Sequence, residues 1–205
     1  MRHSSNSSPD SGRLVVVSGP SGVGKSSVVE GLASRVPFRF SVSVTTRAPR
    51  PDEVEGVDYT FVDEKRFREM VAGDELLEWA QYSDKLYGTP RAAVAEFLAA
   101  GHDVVLDIEN RGAAQIRESH PEAILIFVAP PSLDELERRL KARGNTRDVE
   151  KRLAVASEQI TSAQALYDHI VVNDDLDTAI CDIADILARP GRLGHASEDA
   201  QETPS

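Results

Sequence analysis

The chain has almost no cysteine, no long apolar run, no repeat and no excess of positive charge, and each absence removes a class of protein. A single cysteine, Cys181, among 205 residues excludes a disulfide framework and fits a reducing compartment. The apolar residues around it, in a helical pattern, read as the surroundings of a buried structural thiol. No stretch of eighteen apolar residues occurs, so no spanning helix is expected. The first twelve residues, MRHSSNSSPDSG, lack the apolar stretch of a secretory leader. Both features point to cytoplasmic residence. The formal net charge of -11 repels phosphate backbones and anionic surfaces at long range. No nucleic acid or membrane partner is expected, and a phosphate ligand would need a local basic pocket. No paired cysteines or clustered histidines suggest a structural metal, and no internal period suggests a solenoid.

What is present suits one globular domain. Hydrophobic residues make up 40% and charged residues 28%, enough to build a core in a chain of this length. Residues 1–12 and 190–205 are dominated by small and polar side chains and read as flexible tails, leaving a working domain over 13–189. Within it, apolar runs of strand length at 14–17, 104–108, 124–129 and 170–172 alternate with segments of helical period. That alternation predicts a parallel sheet with crossover helices. The stripes Leu133, Leu136, Leu140 and Leu176, Ile180, Ile183, Leu187 read as core faces of two helices. Between the first helix and residue 104, a stretch over 38–89 is rich in short β-like runs and turns, including the pair Tyr87-Gly88, and reads as an excursion over one sheet edge.

The sharpest local signal is Gly19-Pro20-Ser21-Gly22-Val23-Gly24-Lys25-Ser26, which fits G-x-x-x-x-G-K-[ST] between a strand and the helical run 28–33. Glycines there let main-chain N–H groups face a polyphosphate, and the helix N-terminus adds partial positive charge. Lys25 would supply a point charge at the β and γ phosphates. The Ser26 hydroxyl would be an inner ligand of Mg2+, whereas Ser27 reads as helix. A second apolar strand ends in Asp107, the placement of an acid that organises the water shell of that ion.

The segment following residue 38 bears on the phosphoryl acceptor. Arg47 and Arg50 stand three apart on a proline-stiffened turn, and Tyr59 follows. Two planar guanidinium forks and a phenol can clamp a monophosphate.

The segments SVSVTTRAPRPDEVEGVDYTFV, LLEWAQYSDKLYGT and VVLDIENRGAAQI, then IFVAPPSLDELERRLKARG and VVNDDLD, closely resemble the successive signatures of guanylate kinases, over nearly all of 13–187. The resemblance implies an α/β fold: a P-loop NTPase-type parallel sheet of five strands flanked by helices. A small mixed α/β GMP-binding arm (about 38–89) and a helical lid (about 139–152) are implied as well. It implies transfer of the terminal phosphoryl group of ATP to GMP, with Mg2+ as helper ion and dGMP as an alternative acceptor. The loop from Gly19 to Ser27 takes ATP. Ser43, Arg47, Arg50, Tyr59 and Tyr87 hold the GMP phosphate. Glu78 accepts from the two donors on the guanine edge and Thr89 bonds O6. Asp107 and Glu109 lie between the substrates, although Glu109 stands where the family usually has Asp. Lys25 and the lid arginines Arg139, Arg143 and Arg152 are implied to act on the transferring group, and Arg47 shares in catalysis by orienting the acceptor. The lid loop is about two residues shorter than the family's, and whether the chain is a monomer or an oligomer is left open.

Overall fold

A computed structural model describes residues 11–82, 84–142 and 148–189. The tail assigned to 190–205, most of the tail assigned to 1–12, and Arg143 of the lid lie outside the described residues. Gly12 already belongs to the fold, because its N–H donates to Leu98 O at 2.9 Å.

The main sheet has five parallel strands in the order β2-β7-β1-β8-β9. These are β1 (Leu14–Ser18), β2 (Arg39–Phe40), β7 (Val104–Asp107), β8 (Ile124–Ala129) and β9 (His169–Val172). The central strand shows why the sheet is buried on both faces. Leu14 and Val16 join one apolar cluster and Val15 and Val17 the other, the two-residue period of a strand read from above and below. The face of Val15 and Val17 is covered by α1 (Lys25–Ala33) and α7 (Leu176–Ala188), through Val28, Leu32, Ile180 and Ile183. The other face is covered by α3 (Arg91–Ala99), α4 (Asn110–Ser119) and α6 (Val149–Leu166), through Val94, Ile116 and Ala163. Since all five strands run the same way, the loops that leave β1, β7 and β9 emerge at one edge. Ligands of open α/β sheets sit outside this edge, the carboxyl ends of the strands.

The excursion forms its own four-stranded sheet in the order β4-β3-β6-β5. Its strands are β3 (Ser43–Thr45), β4 (Tyr59–Phe61), β5 (Leu76–Tyr82) and β6 (Lys85–Pro90), with α2 (Glu64–Ala72) packed on it. Val44, Phe67, Met70 and Leu76 make a separate small core. Arg39 and Phe40 pair with β7 in the main sheet, so the excursion starts after Phe40. A further apolar cluster joins α5 (Leu133–Ala142) to α6 through Leu136, Leu140, Val149 and Ala156.

Three sequence expectations are corrected here. Tyr87 and Gly88 are not a turn. They lie inside β6, paired with Thr45 and Val44, because a β-branched strand on one side and β5 on the other outweigh the local turn preference of glycine. Cys181 is exposed, lying on the outer side of α7, where Arg35 Nη1 donates to its Sγ at 2.8 Å. The two leucine stripes are core except at their first members: Leu133 and Leu176 are 39% and 40% exposed. Both stand in the first turn of their helices.

Candidate active site

The phosphate loop runs from β1 into α1. Gly24 lies in the left-handed region with φ 101, and a Cβ on it would stand 2.7 Å from Asn173 Nδ2. Both the backbone and the space therefore require glycine. Asn173, buried just after β9, donates from the same Nδ2 to Val23 O at 2.8 Å and ties the loop to the sheet. No side chain caps the first turn of α1 and no acid stands in it, which leaves the positive end of that helix to an anion. Lys25 Nζ donates to Gly19 O at 2.8 Å and stands 3.8 Å from Asp107 Oδ1. Burial pushes the Asp107 carboxyl up from its ordinary value, with Lys25 opposing and Glu109 reinforcing that shift. The parallel register explains the encounter, since Asp107 pairs with Val17 at the strand ends that flank the loop.

Two cavities meet at this loop. The first, about 370 Å³, is walled by Gly22, Val23, Gly24 and Ser27 on one side and by Arg139 on the other. Ala142 and Leu176 add apolar surface to it, and Asn173 and Asp174 add polar groups. Arg139 is braced from three sides: Nε donates to Glu135 at 2.7 Å, and Nη1 donates to Asn173 O at 2.9 Å and to Val23 O at 3.4 Å. Hydrogen bonds from Arg138 and Arg139 hold Glu135 down at about 2. Arg152 stands in the first turn of α6 and lines neither cavity. Gly19, Pro20 and Ser21 lie in the loop without lining either one.

The second cavity, about 260 Å³, lies between the two sheets. The core contributes Lys25, Ser26, Asp107 and Glu109, and the excursion contributes Ser43, Arg47, Arg50, Tyr59, Glu78 and Tyr87. Residues spread over more than eighty positions thus converge. Strand register accounts for much of this, because Ser43 pairs with Tyr59, Thr45 with Tyr87 and Glu78 with Thr89. Arg47 lies 5.2 Å from the Tyr59 ring centroid, within cation–π range. Burial raises the Tyr59 phenol above its ordinary value.

Glu78 is the most unusual group in this cavity. Only 4% of it is exposed, and burial pushes its carboxyl up to about 7 against hydrogen bonds from Thr89. Thr89, fully buried behind it, donates from Oγ1 to Glu78 Oε1 at 2.6 Å and does not itself line the cavity. A buried carboxylate with spare acceptor capacity is a costly arrangement unless a ligand completes it.

Several residues escaped the sequence reading. Glu53 makes the fork-to-fork pair with Arg47, with Nη1 to Oε2 at 2.9 Å and Nη2 to Oε1 at 2.8 Å, and accepts from Arg50 N–H at 2.8 Å. That pair holds Glu53 at about 2. Its spacing from the two arginines was visible, but a surface acid among PDEVEG carries no signal of its own. Asn173, Asp174 and Leu176 lie in the segment VVNDDLD, to which the sequence reading gave no role in the site, and Ala142 comes from the end of α5, about thirty residues earlier. Gln159 Nε2 donates to Glu109 Oε2 at 3.3 Å and joins α6 to the second cavity.

A central parallel strand leading into a phosphate loop, with a lysine and a strand-end aspartate beside it, defines a P-loop NTPase-type protein. The sequence pattern of one family, guanylate kinase, matches residues 11–189. A guanylate kinase of Thermus thermophilus is 49% identical over 195 residues, covering 92% of this chain and 88% of its own. One from a Synechococcus species is 48% identical over 182 residues, covering 87% and 83%. Among solved structures, guanylate kinase from Anaplasma phagocytophilum superposes with a TM-score of 0.71 at 34% identity, covering 87% of this chain and 85% of that one. The chain belongs to the guanylate kinase family, and it is an enzyme, a kinase.

Proposed function

We propose that the chain transfers the γ-phosphoryl group of ATP to GMP, giving ADP and GDP. The observation that carries this reading is the company Glu78 keeps. A buried carboxylate able to accept from two donors shares a 260 Å³ cavity with two arginines, two tyrosines and the lysine of the phosphate loop. Guanine offers two adjacent donors on one edge, and adenine does not. The wrong base would leave the buried carboxylate with Thr89 as its partner and its remaining acceptor capacity unmet, a penalty of about 1–3 kcal/mol or more.

Arg47, Arg50, Ser43, Tyr59 and Tyr87 hold the acceptor phosphate, and the first cavity takes the nucleoside part of ATP between Arg139 and Leu176. The attacking phosphate oxygen of GMP is already largely ionised at neutral pH, so no general base is required. Lys25 and Arg139 stabilise charge on the transferring group while Arg47 and Arg50 orient the acceptor for in-line attack. Arg143 and Arg152 complete the lid in this reading. Ser26 and Asp107 fit a magnesium ion, because both are oxygen donors beside Lys25 and a small hard ion keeps most of its waters. Ser26, and Asp107 through water, would hold it, and it would neutralise charge on the phosphate oxygens. Acceptance of dGMP and residence in the cytoplasm belong to the same proposal. Among the described residues no helix is long and apolar enough to cross a membrane.

The test is ADP formation from ATP with GMP, AMP, CMP or UMP as acceptor. Turnover with GMP, loosened by Glu78→Ala, supports the assignment. Equal turnover with AMP refutes the role given to Glu78, and no turnover with any acceptor refutes the reaction.

A further inference from the structure

Helix α4 carries a glycine in its first turn, although glycine is the poorest helix former after proline. Gly112 is buried. A Cβ built on it would overlap Glu78 Oε2, lie 2.9 Å from Glu78 Cδ and meet Ile108 Cδ1 at 3.3 Å. The bare main chain of α4 is therefore one wall of the space in which the Glu78 carboxyl stands, and Thr89 is another. One turn further on, Gln115 grips the strand at the next residue. Its Nε2 donates to Trp79 O at 2.7 Å, and Trp79 N–H donates to its Oε1 at 3.2 Å. A side-chain amide here takes the place of a neighbouring strand and fixes β5 against α4.

We propose that Gly112 is a positioning residue for acceptor recognition: the missing side chain lets Glu78 present its carboxyl to the base. The proposal rests on the reading of Glu78 as the group that accepts from guanine. It also gives α4 a second task. The helix starts directly after Asp107 and Glu109, beside the phosphate loop, and its third residue seats the base-reading group of the other sheet. One rigid element thereby sets the distance between the acceptor's base and its reacting phosphate. A methyl group at position 112 pushes the carboxyl off this line, and Oε2 can no longer serve as the second acceptor.

The experiment compares wild type, Gly112→Ala, Glu78→Ala and the double variant, using full-length chain. GMP and ATP affinities are measured by calorimetry, thermal midpoints by melting, and acceptor preference by turnover with GMP against AMP. Gly112→Ala alone is expected to weaken GMP by about tenfold or more, the loss of one hydrogen bond to a charged group, with ATP affinity held within about twofold. The GMP-to-AMP preference should fall with it. In the Glu78→Ala background the same substitution should change GMP affinity by less than about twofold and raise the melting temperature, because the overlap with the carboxyl is gone, the end of the Ile108 side chain need give only a few tenths of an ångström, and alanine favours the helix. Equal GMP loss in both backgrounds, or a parallel loss of ATP affinity, overturns the proposal. Should the single variant fail to fold, a double variant that melts at or above Glu78→Ala supports it, and a double variant that also fails overturns it. A wild-type chain that binds ATP but not GMP refutes the functional reading first, and the role of Gly112 falls with it.

Discussion

Glu78 titrates in the pH range in which such an enzyme would be assayed, and its two protonation states are expected to do different things. Burial moves its carboxyl from 4.5 to about 7 in the unliganded protein. The acid form stabilises the fold: this contribution is complete below 4.5 and is lost as pH rises through about 7. The full span corresponds to about 3 kcal/mol, of which about 1 kcal/mol falls between pH 6 and pH 8. Binding of guanine requires the opposite form, since only the carboxylate accepts from both donors. At about pH 8 most of Glu78 is ionised, and at about pH 6 roughly a tenth is. The value of kcat/KM for GMP should therefore fall about tenfold between pH 8 and pH 6 on this account. The acceptor's own phosphate also gains a proton near about pH 6, so Glu78→Gln is the control. The variant keeps the phosphate's contribution, lacks the Glu78 step, binds GMP more weakly at every pH, and loses the pH dependence of unliganded stability that Glu78 supplies. The assay is a pH series of initial rates at saturating ATP, with thermal melts of both proteins at each pH. Superimposable pH profiles for wild type and variant, or a wild type more stable at pH 8 than at pH 6 relative to the variant, would refute the reasoning.

Lys25→Met removes the cation that bonds Gly19 O and faces Asp107, and should reduce kcat by about a hundredfold or more with little change in melting temperature. Arg47→Lys replaces a fork that makes two bonds to Glu53 by a single point charge. GMP affinity should drop about tenfold or more, while ATP affinity should hold. Cys181 lies exposed on α7 and should react with a thiol reagent in the native protein without loss of activity. Labelling that waits for denaturation would restore the buried reading.

The phosphate loop was legible because its chemistry is local. Glycines, lysine and serine at fixed spacing between a strand and a helix dictate one backbone path, and the structure shows that path with φ 101 at Gly24. The strands of the main sheet were legible for a related reason. A parallel strand buried on both faces is a continuous apolar run, and 14–17 and 124–129 announce themselves. The pair Arg39–Phe40 did not, being two exposed residues whose place in the sheet depends only on β7. Arg47, Arg50 and Tyr59 were candidates by residue type and Glu78 came from a resemblance, and no period or spacing brings the four to one cavity.

The sequence by itself determined the phosphate-loop pattern, four of the five strands of the main sheet and which family the signatures follow, because each depends on neighbours in the chain. Tertiary structure alone decided that Glu78 is buried and raised to about 7, that Glu53 occupies the arginine fork, and that Cys181 faces outward. Burial, charge pairing and close approach are properties of space between elements. The bare backbone of Gly112 against the Glu78 carboxyl has no trace in the stretch of chain that separates them.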